Sequence, residues 1–243
     1  MKQSFGNRMI SLLFAVLLLF LILTAAISLP IYLRPFYYAH IDAMDLSALS
    51  GFPKEEIVRS YDAVLDYLTL PGHAFGTGVM AHSPEGAAHF ADCKRLFSLN
   101  SAVFLTSGAG LLVLTLLRRR LGPYRLGRRP AAFYGGVCAI LLPLVVGGLA
   151  AVNFDRAFVV FHHIFFPGKD NWLFDRETDP IITVLPQEFF LHCAVLIGAG
   201  LLVFASIAIV LSLVLQKREI LPAPGTGTEY PRQPPCQQGR NLL

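Results

Sequence analysis

Four long runs without a charged residue dominate this sequence: 9–33, 96–117, 130–154 and 189–216. Each can cross the ~30 Å hydrocarbon core of a bilayer, which takes about 20 helical residues. A charge at the bilayer centre costs at least ~2.5 kcal/mol on insertion scales, so runs this long and this clean mark membrane spans. Hydrophobic residues make up 54% of the chain, above the ~45–50% of ordinary soluble domains. The excess sits in these four runs. Lys2 and Arg8 before the first run imitate a signal peptide. A signal core spans only ~7–15 residues, however, so the first run reads as a retained helix.

Charge sets the expected orientation. The segment before Met9, the 118–129 loop and the tail after Gln216 carry twelve Lys and Arg against two acids, Glu219 and Glu229. Six of the arginines crowd into that one short loop: Arg118, Arg119, Arg120, Arg125, Arg128 and Arg129. Short basic loops stay in the cytoplasm, so the chain is expected to be a multi-pass membrane protein with both termini inside. The Arg-rich loop faces anionic headgroups, and nothing points to nucleic acid. The four cysteines form no CxxC and no two share an outer loop, which argues against a disulfide framework.

The expected fold is all-α and polytopic: four transmembrane helices with a small extracytoplasmic helical cap. Its parts are an N-terminal transmembrane helix (1–33), the cap (34–95) and transmembrane helices two and three around the Arg-rich cytoplasmic loop (96–153). An aromatic-rich extracytoplasmic loop (154–188), the fourth helix (189–216) and a disordered cytoplasmic tail (217–243), rich in Pro, Gly and Gln, complete it. In the cap, Ile57, Tyr61, Val64, Leu65 and Leu68 recur at helical spacing after Pro53 and before Pro71-Gly72. Ser83-Pro84-Glu85 is a helix start expected to run on into the second span. Gly135, Gly136, Gly147 and Gly148 permit close packing of the third span. Residues 154–166 keep the helical rhythm and read as an extension of it.

Two constellations could carry chemistry. Glu85-x3-His89-x2-Asp92 places two acids on the helix face of an imidazole. Asp155-x2-Phe158-x3-His162 puts an acid and a second imidazole on one face, ~10 Å apart. His89 lies seven residues before Leu96, and His162 eight after Phe154. At ~1.5 Å per residue both should sit about 10–12 Å beyond their spans, on the same side. Two histidines at matched height, on polar accessible faces and facing one another across a cavity, suit general acid–base work on a lipid ester. Adjacent His162 and His163 diverge by ~100° on a helix, so one metal centre could hardly use both. No metal or cofactor is expected. A non-enzymatic binding or sensor module explains the four helices equally well but leaves the matched histidines without a purpose. A transporter is disfavoured, because no ionisable Asp, Glu, Lys or Arg lies within a span.

Phe161-His162-x2-Phe165-Phe166, then Trp172, Asp179 and Leu185-Pro186 before Phe189-Phe190, resembles the DUF1461 family of bacterial integral membrane proteins. So does Glu85-x3-His89-x2-Asp92-x-Lys94-x2-Phe97. Cys93, His163 and the Pro-rich tail depart from the pattern. The resemblance covers about Met9 to Leu215 and implies a lipoprotein intramolecular transacylase. Such an enzyme moves the sn-2 acyl chain of a diacylglyceryl cysteine to that cysteine's own α-amine. Its partners would be the diacylated lipoprotein N-terminus and membrane lipid. The resemblance makes His89 and His162 the catalytic pair, with Glu85, Asp92, Lys94, Asp155, Phe158, Phe161, Phe165, Phe166 and Trp172 orienting or lining the pocket. Which histidine is base and which acid stays open at this level.

Overall fold

The computed structural model describes residues 4–220; of the expected tail, 217–243, residues 217–220 continue the last helix and the remainder lies outside the described residues. Four helices are long and apolar enough to span a membrane: α1 (Phe5–Tyr32), α5 (Pro84–Leu121), α6 (Ala131–Val152) and α9 (Gln187–Ile220). α1 is the hub and packs against α5, α6 and α9, while α6 also packs along α9. Two glycines of α6 make its share of this packing possible. A Cβ at Gly135 would stand 2.7 Å from the Ala15 carbonyl oxygen, and one at Gly136 2.7 Å from Ile209 Cγ1. Gly147 and Gly148 face open space instead, so the expected close packing ends one turn beyond Ala139. The rest of the bundle surface is apolar and bare: Leu112, Leu116, Val145 and Val195 are each more than half exposed. In water that would be a liability; in a bilayer it is the solvent-facing side.

Between α1 and α5 lies the cap. α2 (Arg34–Ala43) follows α1 after Leu33, and α3 (Leu46–Ser50) leads to α4 (Lys54–Thr69). Ile57, Tyr61, Val64, Leu65 and Leu68 all turn inward. They form one core with Tyr37, Ile41, Phe90 and, from the far side, Ile181 and Val184 of α8 (Ile181–Val184). Tyr37 is sealed there, stacked on Tyr61 at 3.7 Å and donating its hydroxyl to the Val184 carbonyl at 2.7 Å. Arg34 ties the cap to itself through Asp62 and Asp66.

Two elements depart from expectation. The arginine-rich loop is not irregular. It closes as a short antiparallel hairpin, β1 (Arg125–Leu126) with β2 (Arg129–Pro130). Gly127 at φ +64° supplies the left-handed first position of its two-residue turn. The second departure is at Asn153. Its backbone is extended, and its side chain accepts the Arg156 N–H at 2.8 Å. That is an N-cap, so α7 (Phe154–Phe165) is a new helix and not an extension of α6.

Candidate active site

The N-terminal turns of α5 build one wall. Ser83 caps the helix by accepting the Gly86 N–H, and Pro84 occupies the first helical position. Gly86, His89, Phe90 and Asp92 are then buried on neighbouring helical faces. α7 builds the other wall, and His162, in its last turn, is its buried residue. The two imidazole centroids are 5.9 Å apart with planes 30° off parallel.

Neither ring is accessible. His89 is 6% exposed and His162 7%. At this separation the rings are in near contact, so they do not face one another across a cavity, and a reacting group must approach beside them. Both corrections have one cause. The 166–180 loop folds back over the pair and roofs it with aromatics. Phe166 lies 4.8 Å from His89 and 5.7 Å from His162. Phe174 meets His89 edge-on at 5.4 Å. Trp172 stacks on His162 at 4.4 Å, with Phe158 on another side at 4.3 Å.

Polar bonds hold the roof down. Lys169 Nζ donates to Asp92 Oδ2 at 2.6 Å, and Arg95 reaches the other carboxylate oxygen at 3.2 Å. The Lys169 ammonium holds the Asp92 carboxyl below the usual range. Buried Asp179 accepts the Ser83 N–H at 2.8 Å, which fastens the end of the loop to the start of α5. Gly86 leaves the room: a Cβ there would lie 2.2 Å from Asp179 Oδ1.

Electrostatics keep the pair neutral. Burial, helped by the neighbouring His162, pushes His89 down to about 4, against a partial pull upward from Asp92 and Asn171. Yet Nδ1 of His89 and Oδ1 of Asn171 are both buried without a partner at ordinary hydrogen-bond geometry. Nε2 of His89 lies 3.4 Å from the Cys93 sulfur. His162 is also lowered by burial, with the Phe158 carbonyl opposing. That carbonyl lies 2.7 Å from His162 Nδ1. A carbonyl can only accept, so Nδ1 carries the proton and Nε2 is left as an acceptor.

Not every expected residue joins. Asp92, Phe158, Phe166 and Trp172 do. Phe161 touches His162 edge-on at 5.4 Å but packs mainly on Phe165, and both are nearly half exposed. Glu85 is exposed and makes no bond to His89. Helical side chains lean toward the N-terminus, which carries Glu85 away from the ring one turn behind it. Lys94 lies over the Tyr67 ring at 4.1 Å, because five residues from His89 is ~140° around the helix. Asp155 accepts from Gln187 at 2.7 Å instead of sharing a pocket with His162. Lys169, Asn171, Phe90 and Phe174 were missed. Lys169 and Phe174 flank Trp172 within three residues, and that crowding beside the aromatic motif was the available signal.

Four membrane helices under a small helical cap, with two neutral histidines sealed at the junction, define a polytopic integral membrane protein with a buried polar site. The family model of the lipoprotein intramolecular transacylase Lit matches residues 12–190, and the chain belongs to that family of acyltransferases. The solved structure of the integral membrane transacylase Lit from Bacillus cereus superposes with a TM-score of 0.83 at 28% identity, covering 89% of this chain and 99% of that one. Two variants of the same Bacillus protein, with one histidine replaced by Arg or by Ala, match at a TM-score of 0.75 and 28% identity, each covering 88% of this chain and 93% or 95% of its own. No curated protein sequence matches the chain.

Proposed function

We propose that this protein moves the sn-2 acyl chain of a diacylglyceryl cysteine onto the α-amine of that same cysteine, using His162 and His89. The observation that carries the reading is the contact of two neutral imidazoles inside an aromatic roof. The amine nitrogen attacks the ester carbonyl carbon. A C–N bond forms and the C–O bond to the glyceryl oxygen breaks. The ring closed in the transition state holds eight atoms: N, Cα, Cβ, S, two glycerol carbons, the ester oxygen and the acyl carbon. A free chain closes such a ring reluctantly, and a rigid pocket lowers that entropic cost.

One proton must leave nitrogen and one must reach oxygen. Nε2 of His162 takes the first and returns it to the departing glyceryl oxygen. We assign His89 the partner role. Burial raises the Cys93 thiol to about 12, so it stays protonated and serves as donor to Nε2. The proton of neutral His89 then sits on Nδ1, where it can meet the carbonyl oxygen as charge develops. The same proposal places the cap outside and the arginine hairpin in the cytoplasm of a bacterial cell, on the strength of its six arginines.

The test converts a diacylglyceryl lipopeptide to its N-acyl, monoacylglyceryl form. His89→Ala and His162→Ala should each lose roughly a hundredfold or more in turnover per folded molecule. His163→Ala, whose ring only edges Trp172 at 6.1 Å, should be mild. Full conversion by both variants at the buried histidines removes the mechanism.

A further inference from the structure

The Arg-rich end of the bundle holds a cavity of about 120 Å³, far from the histidines in sequence and at the opposite end of the spans. Phe14 of α1, Arg118 of α5, Arg125 of β1 and Ser212 and Gln216 of α9 all line it. With Ala132 of α6 also in the lining, it is framed by all four spanning helices and by the hairpin. Its volume corresponds to roughly four waters at ~30 Å³ each, the size of a small polyatomic headgroup fragment.

The frame is built rather than incidental. Tyr124 stacks on Phe14 at 5.2 Å and donates to the Leu114 carbonyl at 2.6 Å. Gln216 donates to the Arg128 carbonyl at 2.9 Å, which pins the hairpin turn to α9. Within that frame the six arginines divide. Arg119, Arg120, Arg128 and Arg129 are exposed, whereas Arg118 and Arg125 are half-buried and line the cavity. Two arginine side chains lining a small, mostly apolar space, with Phe14 and Leu215 on its apolar side, match a phosphate attached to an acyl-bearing molecule. The height fits as well, because Arg118 follows the uncharged run that ends at Leu117. Basic pockets between membrane helices at headgroup level are recognition sites for anionic lipid.

We propose that this cavity binds the phosphate of an anionic phospholipid in the leaflet at the arginine-rich end. The site is separate from the histidine pair, and its occupancy does not depend on the transacylase reading.

The full-length protein in neutral detergent provides the test, read by thermal unfolding. Dioleoylphosphatidylglycerol should raise the midpoint by roughly 3 °C or more, and an equal amount of dioleoylphosphatidylcholine should not. Arg118→Gln with Arg125→Gln should abolish the shift, and Arg119→Gln with Arg120→Gln should keep it. Native mass spectrometry of the unmodified protein should retain one phosphatidylglycerol per chain in preference to phosphatidylcholine, which keeps the proposal testable if the cavity variant does not fold. An equal shift with phosphatidylcholine, an unchanged shift in the cavity variant, or an equal loss in the surface pair overturns the site. An equal shift with inorganic phosphate alone overturns the lipid and leaves a free-anion site.

Discussion

Burial of His89 has a measurable signature. Its folded pKa, about 4, lies below the ~6.5 of the unfolded chain. The unfolded state therefore binds a proton that the folded state refuses. The sign is fixed: stability is complete above pH ~6.5, falls as pH drops toward 4, and levels off below. One such group gives a slope of at most ~1.4 kcal/mol per pH unit, and His162, lowered in the same direction, adds to it. Thermal unfolding between pH 7 and pH 4 should show this slope, and His89→Gln should reduce it. A flat profile, identical in both proteins, contradicts neutral burial of the ring.

At the scale of elements, the roof is the part to test. Gly86→Ala forces a Cβ into Asp179 Oδ1, with Phe174 Cε1 only 3.2 Å away. The helix itself gains from the exchange, since Ala is the better helix former by about 1 kcal/mol. The expected outcome is a stable bundle with a lifted loop, in which activity drops at least tenfold and proteolysis between 166 and 180 speeds up. Unaltered activity would show that the loop's seat on α5 is not needed. Elements such as α4 and the spans were readable from the residues, because hydrophobic spacing and long uncharged runs are local properties. The break at Asn153 was also local, a cap residue with Asp155 in the next turn, but the unbroken aromatic rhythm of 154–166 masked it. The roof was not readable. Lys169 meets Asp92 across 77 positions, and the 166–180 loop has no period to betray which way it folds. Hence the nearness of the two histidines was legible and their burial was not.

The whole molecule has two unlike ends, and their sidedness is open to experiment. A thiol placed by Arg128→Cys, at the exposed turn of the hairpin, should resist a membrane-impermeant reagent in intact cells and react after permeabilisation. Labelling of that position from outside, above the background of the native cysteines, would invert the protein in its membrane.

Sealing the two imidazoles also bears on what leaves the enzyme. An activated ester meets two rival nucleophiles, the neighbouring amine and water, and an open histidine site would squander part of each acyl chain as free fatty acid. Phe166 and Trp172 leave His89 and His162 almost no surface for water to reach. On the proposed histidine mechanism, fidelity is a matter of packing rather than of the bases themselves. Phe166→Ala or Trp172→Ala should shift the partition toward hydrolysis, raising the ratio of fatty acid to N-acyl product even where total ester consumption changes little. The aromatic roof would in that sense distinguish an acyl shuttle from a lipase.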